Sequence, residues 1–422
     1  MQAKCYSYSY RTVVNMTRSE IIDAAFRVWG RNFYRKTSLS QLSGELGVSK
    51  PALYRHFDSK QALFAAMTER FLDDFAASVR DDFEKAQMEE DADLGISTIV
   101  GSIAGFFARN VYELIFSLIN IYDRKLDGKE ITVSLKSRGA DMSVIQKVVE
   151  KKYSVEPEVI RLVFATLTFL MSHFHKTKTT MKSKPSEKEI KEVITTICKT
   201  IHCGLGYSAD NTALDFETME NQITKMPLNA EPEPFFKAVA EAVAEAGPWD
   251  VSMEMVAKKL GLSKSSLYGH FKNRKDMLRR LFISEFNRIF EFARQGISLT
   301  SGAAQQLYLG IFSITVYLRS RPEILIAIDW IRTRKLDFGK PDKKLEIFRL
   351  FEDINTEPAG NAQLTSEEDR QRISHWILFL LINILTNPSQ GESRDTMDSE
   401  AQNNNIRVLY KFITSGLGGF LK

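Results

Sequence analysis

The groups best placed to do chemistry in this 422-residue chain are cationic, and they gather in two places. From Lys258 to Arg280 there are eight Lys or Arg (258, 259, 264, 272, 274, 275, 279, 280) against one acid, Asp276. From Arg31 to Lys60 there are six (31, 35, 36, 50, 55, 60) against Glu45 and Asp58. The net charge is only +4, so this local clustering is what points to a polyanion. Both clusters sit on a repeated segment. Residues 46–57 read Leu-Gly-Val-Ser-Lys-Pro-Ala-Leu-Tyr-Arg-His-Phe, and residues 260–271 read Leu-Gly-Leu-Ser-Lys-Ser-Ser-Leu-Tyr-Gly-His-Phe. The offset is constant at 214 (260 − 46 and 271 − 57). Each segment reads as a helix-turn-helix, whose second helix enters the DNA major groove; dimeric readers place two such units one helical turn apart. The implied chemistry is recognition of double-stranded DNA by two units on one polypeptide.

Bond-breaking chemistry is not indicated. No paired carboxylates, nucleophile elbow or Gly-rich phosphate loop is present, so neither enzyme activity nor a cofactor is expected. His173-x-His175 and Cys198-x-x-x-His202-Cys203 end two helices, and Cys198 and His202 share a face. His173 and His175 point to different faces, however, and the better expectation is no metal site. An odd, sparse set of cysteines (Cys5, Cys198, Cys203) fits a reducing cytoplasm. The first 15 residues lack the apolar core of a signal peptide, and the longest apolar run, Ile377 to Leu385, is too short to span a bilayer. No membrane association is expected.

The elements that must hold the two basic segments are helices. With 44% hydrophobic and 26% charged residues the composition is that of a globular protein, and strand alternation is nearly absent. Residues 1–16 read as a disordered lead-in, with Met16 a candidate start. Thr17-Arg18-Ser19-Glu20 is a capping box that opens a helix carrying Ile21, Ala24, Ala25 and Val28 at helical spacing. Ser38 caps a second helix that Gly47 ends; Ser49 caps a third; Ser59 caps a long fourth running to about Glu90. After further helices, Glu156 to about Lys176 and Ser186 to about Gly204 form an antiparallel hairpin. The first carries the stripe Val159, Leu162, Val163, Leu167 and Leu170.

A polar stretch, 207–230, reads as a linker, and a second cycle follows. It has a helix from about Pro234 to Ala246, a cap at Ser252, the repeated segment, a helix from Asn273 to about Ser298, and a closing pair, Thr365–Thr386 and Ser399–Phe420. Gly204-Leu205-Gly206 and Gly416-Leu417-Gly418 close the two halves at an offset of 212 (416 − 204), which argues for full-length duplication. The expected domains are 17–64 and 231–278 for DNA binding, and 65–206 and 279–422 for helical bodies.

At 100° per residue, Leu53 and Phe57 fall together and face the core, with Pro51 and Arg55 opposite and Ala52 and Tyr54 on the flanks. Leu267 and Phe271 repeat the inward pair, and Ser265 and Gly269 the outward one. Core positions are identical between repeats. Outward positions differ (Pro51 against Ser265, Ala52 against Ser266, Arg55 against Gly269), so the two units share a scaffold and should read different bases.

The order of cap, short helix, Gly-x-Ser-Lys-x-x-Leu-Tyr-x-His-Phe and a basic residue opening a long helix resembles the TetR family of bacterial transcription regulators. The motif covers roughly residues 17–64 and 234–278; the remainder resembles the family in length and helix content only. The resemblance implies phosphate contacts for Tyr54, His56, Tyr268 and His270, and for Lys60 at the N-terminus of its helix, with Arg274 and Lys275 in the matching place. Lys50 and Lys264 lie in the first turn of each reading helix, within reach of a phosphate or a base. Arg55 can pair with guanine. The capping serines Ser38, Ser49, Ser252 and Ser263 belong to the same expected surface.

There are departures. Phe33 stands where Gly247 closes the first helix in repeat two, and the second repeat opens on Glu231 and Glu233. Gly269 removes an outward side chain and weakens its helix. The second unit is therefore expected to bind more through backbone charge than through bases.

Aromatics crowd the bodies: Phe106, Phe107, Tyr112 and Phe116 in one, Phe312, Tyr317 and Trp330 in the other. At helical spacing they read first as core. The resemblance implies a small apolar effector between the helices, with repression as the usual outcome. It also implies that residues 156–204 pack on 365–420, making an all-α pseudo-dimer inside one chain that reads an asymmetric site. Two other readings stay open. In one, only the first head works and two chains form a homodimer; in the other, the chain is a helical scaffold whose heads have lost DNA binding.

Overall fold

A computed structural model describes residues 16–29, 38–122, 128–181, 184–206, 214–228, 234–334, 346–352, 367–386 and 399–422. The lead-in 1–15, Phe33, Glu231 and Glu233 lie outside these residues. Helices account for nearly all of the described chain, and its one strand-like pairing is an isolated bridge between Tyr153 and Leu421. Among the described residues no single helix is long and apolar enough to cross a membrane.

In the first half, α1 (Arg18–Trp29), α2 (Leu39–Leu46) and α3 (Lys50–Tyr54) precede α4 (Lys60–Met88), α5 (Ala92–Arg109), α6 (Val111–Tyr122), α7 (Gly128–Ser137) and α8 (Ser143–Val149). Then come α9 (Pro157–Met181) and α10 (Glu187–Cys203). After α11 (Phe216–Thr224) the order repeats: α12 (Pro234–Asp250), α13 (Met253–Lys259), α14 (Lys264–His270), α15 (Arg274–Ile297), α16 (Ala303–Arg319) and α17 (Pro322–Arg334). A 3-10 turn at Glu346–Arg349, α18 (Glu367–Thr386), α19 (Ser399–Ser415) and a final 3-10 turn at Gly416–Phe420 complete the chain.

The chain forms two compact units, and their boundary is not the 207–230 stretch. One comprises residues 1–145 and 183–190; the other comprises 146–182 and 191–422. The last two helices of the first half thus fold largely with the second half. Inside that unit α9 packs on α18 and α19. Its buried stripe of Val159, Leu162, Val163 and Leu167 supplies the apolar face. Phe169 meets Phe379 with ring centroids 5.5 Å apart, and Trp376 Nε1 donates to Thr166 Oγ1 at 3.1 Å in the buried seam.

The glycines after α10 and α19 meet reciprocally. A Cβ on Gly204 would lie 2.5 Å from the Ile413 carbonyl oxygen, and one on Gly416 would lie 2.5 Å from that of Ile201. Both glycines have positive φ (55° and 58°), so sterics and backbone conformation independently demand glycine. Leu205 N–H donates to the Ile413 carbonyl at 2.8 Å across this crossing.

The stretch read as a linker contains a helix, α11, that the sequence reading did not identify. Asp215 caps α11 by accepting from Thr218 N–H at 3.1 Å. Met219, Glu220 and Ile223 are buried at helical spacing. The Glu220 carboxylate accepts from Arg407 Nε and Nη2, both at 2.8 Å, from Asn403 at 3.0 Å and from the Tyr308 hydroxyl at 2.5 Å. Burial and this carboxylate push the Tyr308 hydroxyl well above its usual pKa, while Glu220 raises that of Arg407. Glu220 is buried and Arg407 half-buried, so removing Arg407 would leave a buried carboxylate without its counter-charge, which is costly.

Candidate nucleic-acid interface

The first head is built from its caps upward. Thr17 and Glu20 bond reciprocally, Thr17 N–H donating to Glu20 at 2.7 Å and Glu20 N–H to Thr17 Oγ1 at 3.2 Å. Ser38 and Gln41 form the same box on α2. Ser49 accepts from Ala52 N–H at 3.2 Å, with Pro51 pre-set in the first turn. Each cap contributes about 1 kcal/mol to helix formation. Leu53 and Phe57 are buried and lock α3 to the head. The Arg18 guanidinium lies 5.1 Å from the Phe57 ring centroid.

That anchoring turns Lys50, Pro51, Tyr54, Arg55 and His56 to solvent, with Ala52 half-buried beside them. Tyr54 keeps 42% of its surface exposed, unusual for a ring this close to a core. Lys60 opens α4 behind Ser59, which accepts from Ala62 N–H at 3.0 Å. Its ammonium is partly buried, which lowers its pKa. It sits closer to the scaffold than the fully exposed groups.

The second head repeats the plan with other surface chemistry. α12 kinks at Gly247 (φ 79°), and the chain enters α13 through Ser252, which accepts from Met255 N–H at 3.2 Å. Leu267 and Phe271 are buried as Leu53 and Phe57 are. Ser263 caps α14, and its Oγ also lies 3.1 Å from Ser265 Oγ and 3.0 Å from Ser266 Oγ. The three hydroxyls are thus linked to one another on the exposed face. Tyr268 is 49% exposed. His270 rests on Phe235 of α12 with ring centroids 4.3 Å apart. Arg274 is half-buried and Lys275 exposed at the start of α15.

One acid at this surface was not anticipated. Glu254 Oε2 lies 3.8 Å from Lys264 Nζ, at the first turn of the reading helix. The matched position in the first head is Ser40 (254 − 214). The signal was present as a charge in the first turn of α13, but only the packing of α13 on α14 brings it to Lys264. Lys259 is likewise held by Glu245 at 2.5 Å and Glu241 at 3.7 Å. These surface pairs contribute about 0–1 kcal/mol each, yet they offset part of the positive charge of the head. The second head thus carries a dense basic cluster from Lys258 to Arg280, but two of its lysines, Lys259 and Lys264, lie beside acids of the same head.

Head and body are joined by aromatic rings in the first unit. Phe116 of α6 meets Phe26 of α1 edge-on at 5.1 Å, Phe64 of α4 at 5.4 Å and Phe71 of α4 at 6.2 Å. Phe71 continues to Phe106 and Phe107 of α5 at 6.4 and 6.5 Å. In the second unit α12 packs on α17 and α15. No group of three or more His, Cys, Asp or Glu among the described residues is arranged to hold a metal; Cys198 is half-buried and Cys203 exposed.

Comparison with known proteins agrees with this geometry. The model of the family described as "Bacterial regulatory proteins, tetR family" matches twice, at residues 21–67 and 236–281. The chain is 29% identical over 127 residues to the HTH-type transcriptional repressor ComR of Escherichia coli (strain K12), covering 29% of this chain and 58% of that protein. It is 35% identical over 63 residues to the HTH-type transcriptional activator FasR of Mycolicibacterium smegmatis, covering 15% of this chain and 29% of that protein. The matched stretches thus span less than two thirds of either relative. Among solved structures, a TetR family transcriptional regulator, PfmR from Thermus thermophilus, aligns at 20% identity and a TM-score of 0.34, over 43% of this chain and 95% of that one.

Proposed function

We propose that this chain, a tandem TetR-like regulator with one tetR-family head in each half, binds double-stranded DNA through both heads and controls transcription. The observation that carries the reading is the twice-built reading helix. Leu53 and Phe57, or Leu267 and Phe271, are buried while every polar group between them faces solvent. Lys50, Tyr54, Arg55, His56, Lys60, Tyr268, His270, Arg274 and Lys275 supply phosphate and base contacts in this reading, with Lys264 shared between Glu254 and the backbone. Arg55 reads guanine on one half-site, and nothing at Gly269 reads the matching base on the other.

The heads are held as a pair by the chain itself. The packing of α9 on α18 and α19, and the reciprocal Gly204–Gly416 contact, support an intramolecular pseudo-dimer and one chain per asymmetric site. Repression is the outcome favoured, since the longer of the two matched stretches belongs to a protein named as a repressor. The reading places the protein in the cytoplasm, as a regulator and not an enzyme. A small effector would act by shifting α6 or α17 against its head, with Phe116 transmitting the shift to Phe26 in the first half. It must bind the two states unequally to do so.

Light scattering on the free chain and on its complex with enriched genomic DNA fragments tests this. One chain free and one chain per asymmetric site is expected. Two chains on a palindrome would replace it with a homodimer using one head per chain. No enrichment of any fragment would leave a scaffold.

A further inference from the structure

The two bodies place opposite chemistry at the same position. Phe71 on α4 corresponds to Glu285 on α15 at the offset of the heads (285 − 71 = 214). Between those helices and the next the second half is three residues shorter, so Phe106 corresponds to Tyr317 and Asn110 to Arg321 (317 − 106 and 321 − 110 = 211). In the first body Phe71 and Phe106 are buried rings in an all-phenyl cluster. In the second, Tyr317 donates to Glu285 Oε2 at 2.8 Å, Arg321 Nη1 donates to the Tyr317 hydroxyl at 2.9 Å, and the same nitrogen lies 3.4 Å from Glu285 Oε2. Glu285 is wholly buried, and its second oxygen, Oε1, is buried with no hydrogen-bond partner among the described residues.

An acceptor left in that state is costly, so it marks a place where a donor would be accommodated. The neighbouring chemistry is apolar: Phe292 is buried and its ring lies 6.2 Å from that of Tyr317. Arg321 balances the carboxylate, so a further positive charge is not required.

We infer that the second body is the receptor for a small, largely apolar molecule bearing an N–H or O–H donor, which Glu285 Oε1 accepts, whereas the first body has the phenyl ring of Phe71 at that position. This rests on the regulator reading and names the ligand class of one of its two bodies. The substitution E285Q is diagnostic. Tyr317 and Arg321 both donate to Oε2, so the amide oxygen must take that place, and the amide NH2 then occupies the position of Oε1. An acceptor becomes a donor with little change in shape.

The test uses two neutral bicyclic probes of one shape, indole, which only donates, and benzofuran, which only accepts, titrated into the full chain by calorimetry. Indole is expected to bind at least about tenfold tighter than benzofuran, and E285Q to abolish or invert that ratio. The proton on the nitrogen of isotope-labelled indole should move downfield on the unaltered protein, a readout that needs no variant. Circular dichroism confirms that E285Q is folded. Equal affinities, no binding of either probe, or a ratio unchanged in E285Q overturns the inference. DNA retention on the same preparation separates the two readings. A chain that binds DNA without discriminating the probes loses only this site. One that discriminates without binding DNA keeps the site and loses the regulator.

Discussion

The two heads differ in where their positive charge goes. The first presents Lys50, at the start of the five-residue helix Lys50–Tyr54, and Arg55, its C-cap, to solvent. The second has the longer helix, Lys264–His270, but no side chain at Gly269, its lysine beside Glu254 and its histidine laid on Phe235. The shared inward pair (Leu53 and Phe57, Leu267 and Phe271) beside divergent outward faces means that duplication kept the anchor of this helix and released its exposed surface. A homodimer could not make this separation, because any change to one head would appear in both. The bodies diverge in the same sense, with phenyl rings in one where the other holds Glu285, Tyr317 and Arg321.

The sharpest way to break the comparison is to remove a shared anchor. Leu53→Ala and Leu267→Ala each leave a cavity in a fully buried site and should destabilise their own head by about 2–5 kcal/mol. Hydrogen exchange should localise the loss to one head, and footprinting should show only that half-site released. Protection lost in both heads would make them one cooperative unit. Next in size is Arg55→Ala, expected to cost about 1–3 kcal/mol of DNA binding and to relax sequence choice at a single half-site. Uniform loss over both half-sites in a binding-selection assay removes Arg55 from base reading.

Lys60→Ala should weaken all DNA sequences alike and reduce the slope of log K against log salt by about 1. A change confined to one sequence would make Lys60 a base contact instead. The smallest effect, and the one of opposite sign, belongs to Glu254→Ser, which gives the second head the residue of the first. It should free Lys264, tighten DNA by up to about 1 kcal/mol and steepen the salt slope. An unchanged slope would mean that the pair does not hold Lys264 from the phosphates.

Features set within a few residues were legible in the sequence. The caps at Thr17, Ser38, Ser49, Ser59, Ser252 and Ser263 all accept the expected backbone hydrogen bonds, because a cap depends only on its own first turn. The inward pairs Leu53–Phe57 and Leu267–Phe271 followed from helical period alone. The docked helix α11 escaped because its surroundings are polar and its buried face is only Met219, Glu220 and Ile223. A buried glutamate reads as linker until Arg407, 187 residues away, is placed against it. Glu254 escaped because its partner lies on the next helix. The Glu285–Tyr317–Arg321 group escaped because its register depends on three residues lost between α15 and α16. Periodicity reports which residues are hidden, not which hidden residues meet.

The packing of α9 against α18 and α19 within one polypeptide changes how the protein responds to its own abundance. A two-chain regulator must first find its partner, and when copies are scarce its paired form falls with the square of their number. If the proposed intramolecular pairing holds, the chain supplies its pairing surface at fixed effective concentration and a single molecule is complete. Occupancy of a site would then follow copy number to the first power. A defective allele in the same cell would have no partner to poison by exchange.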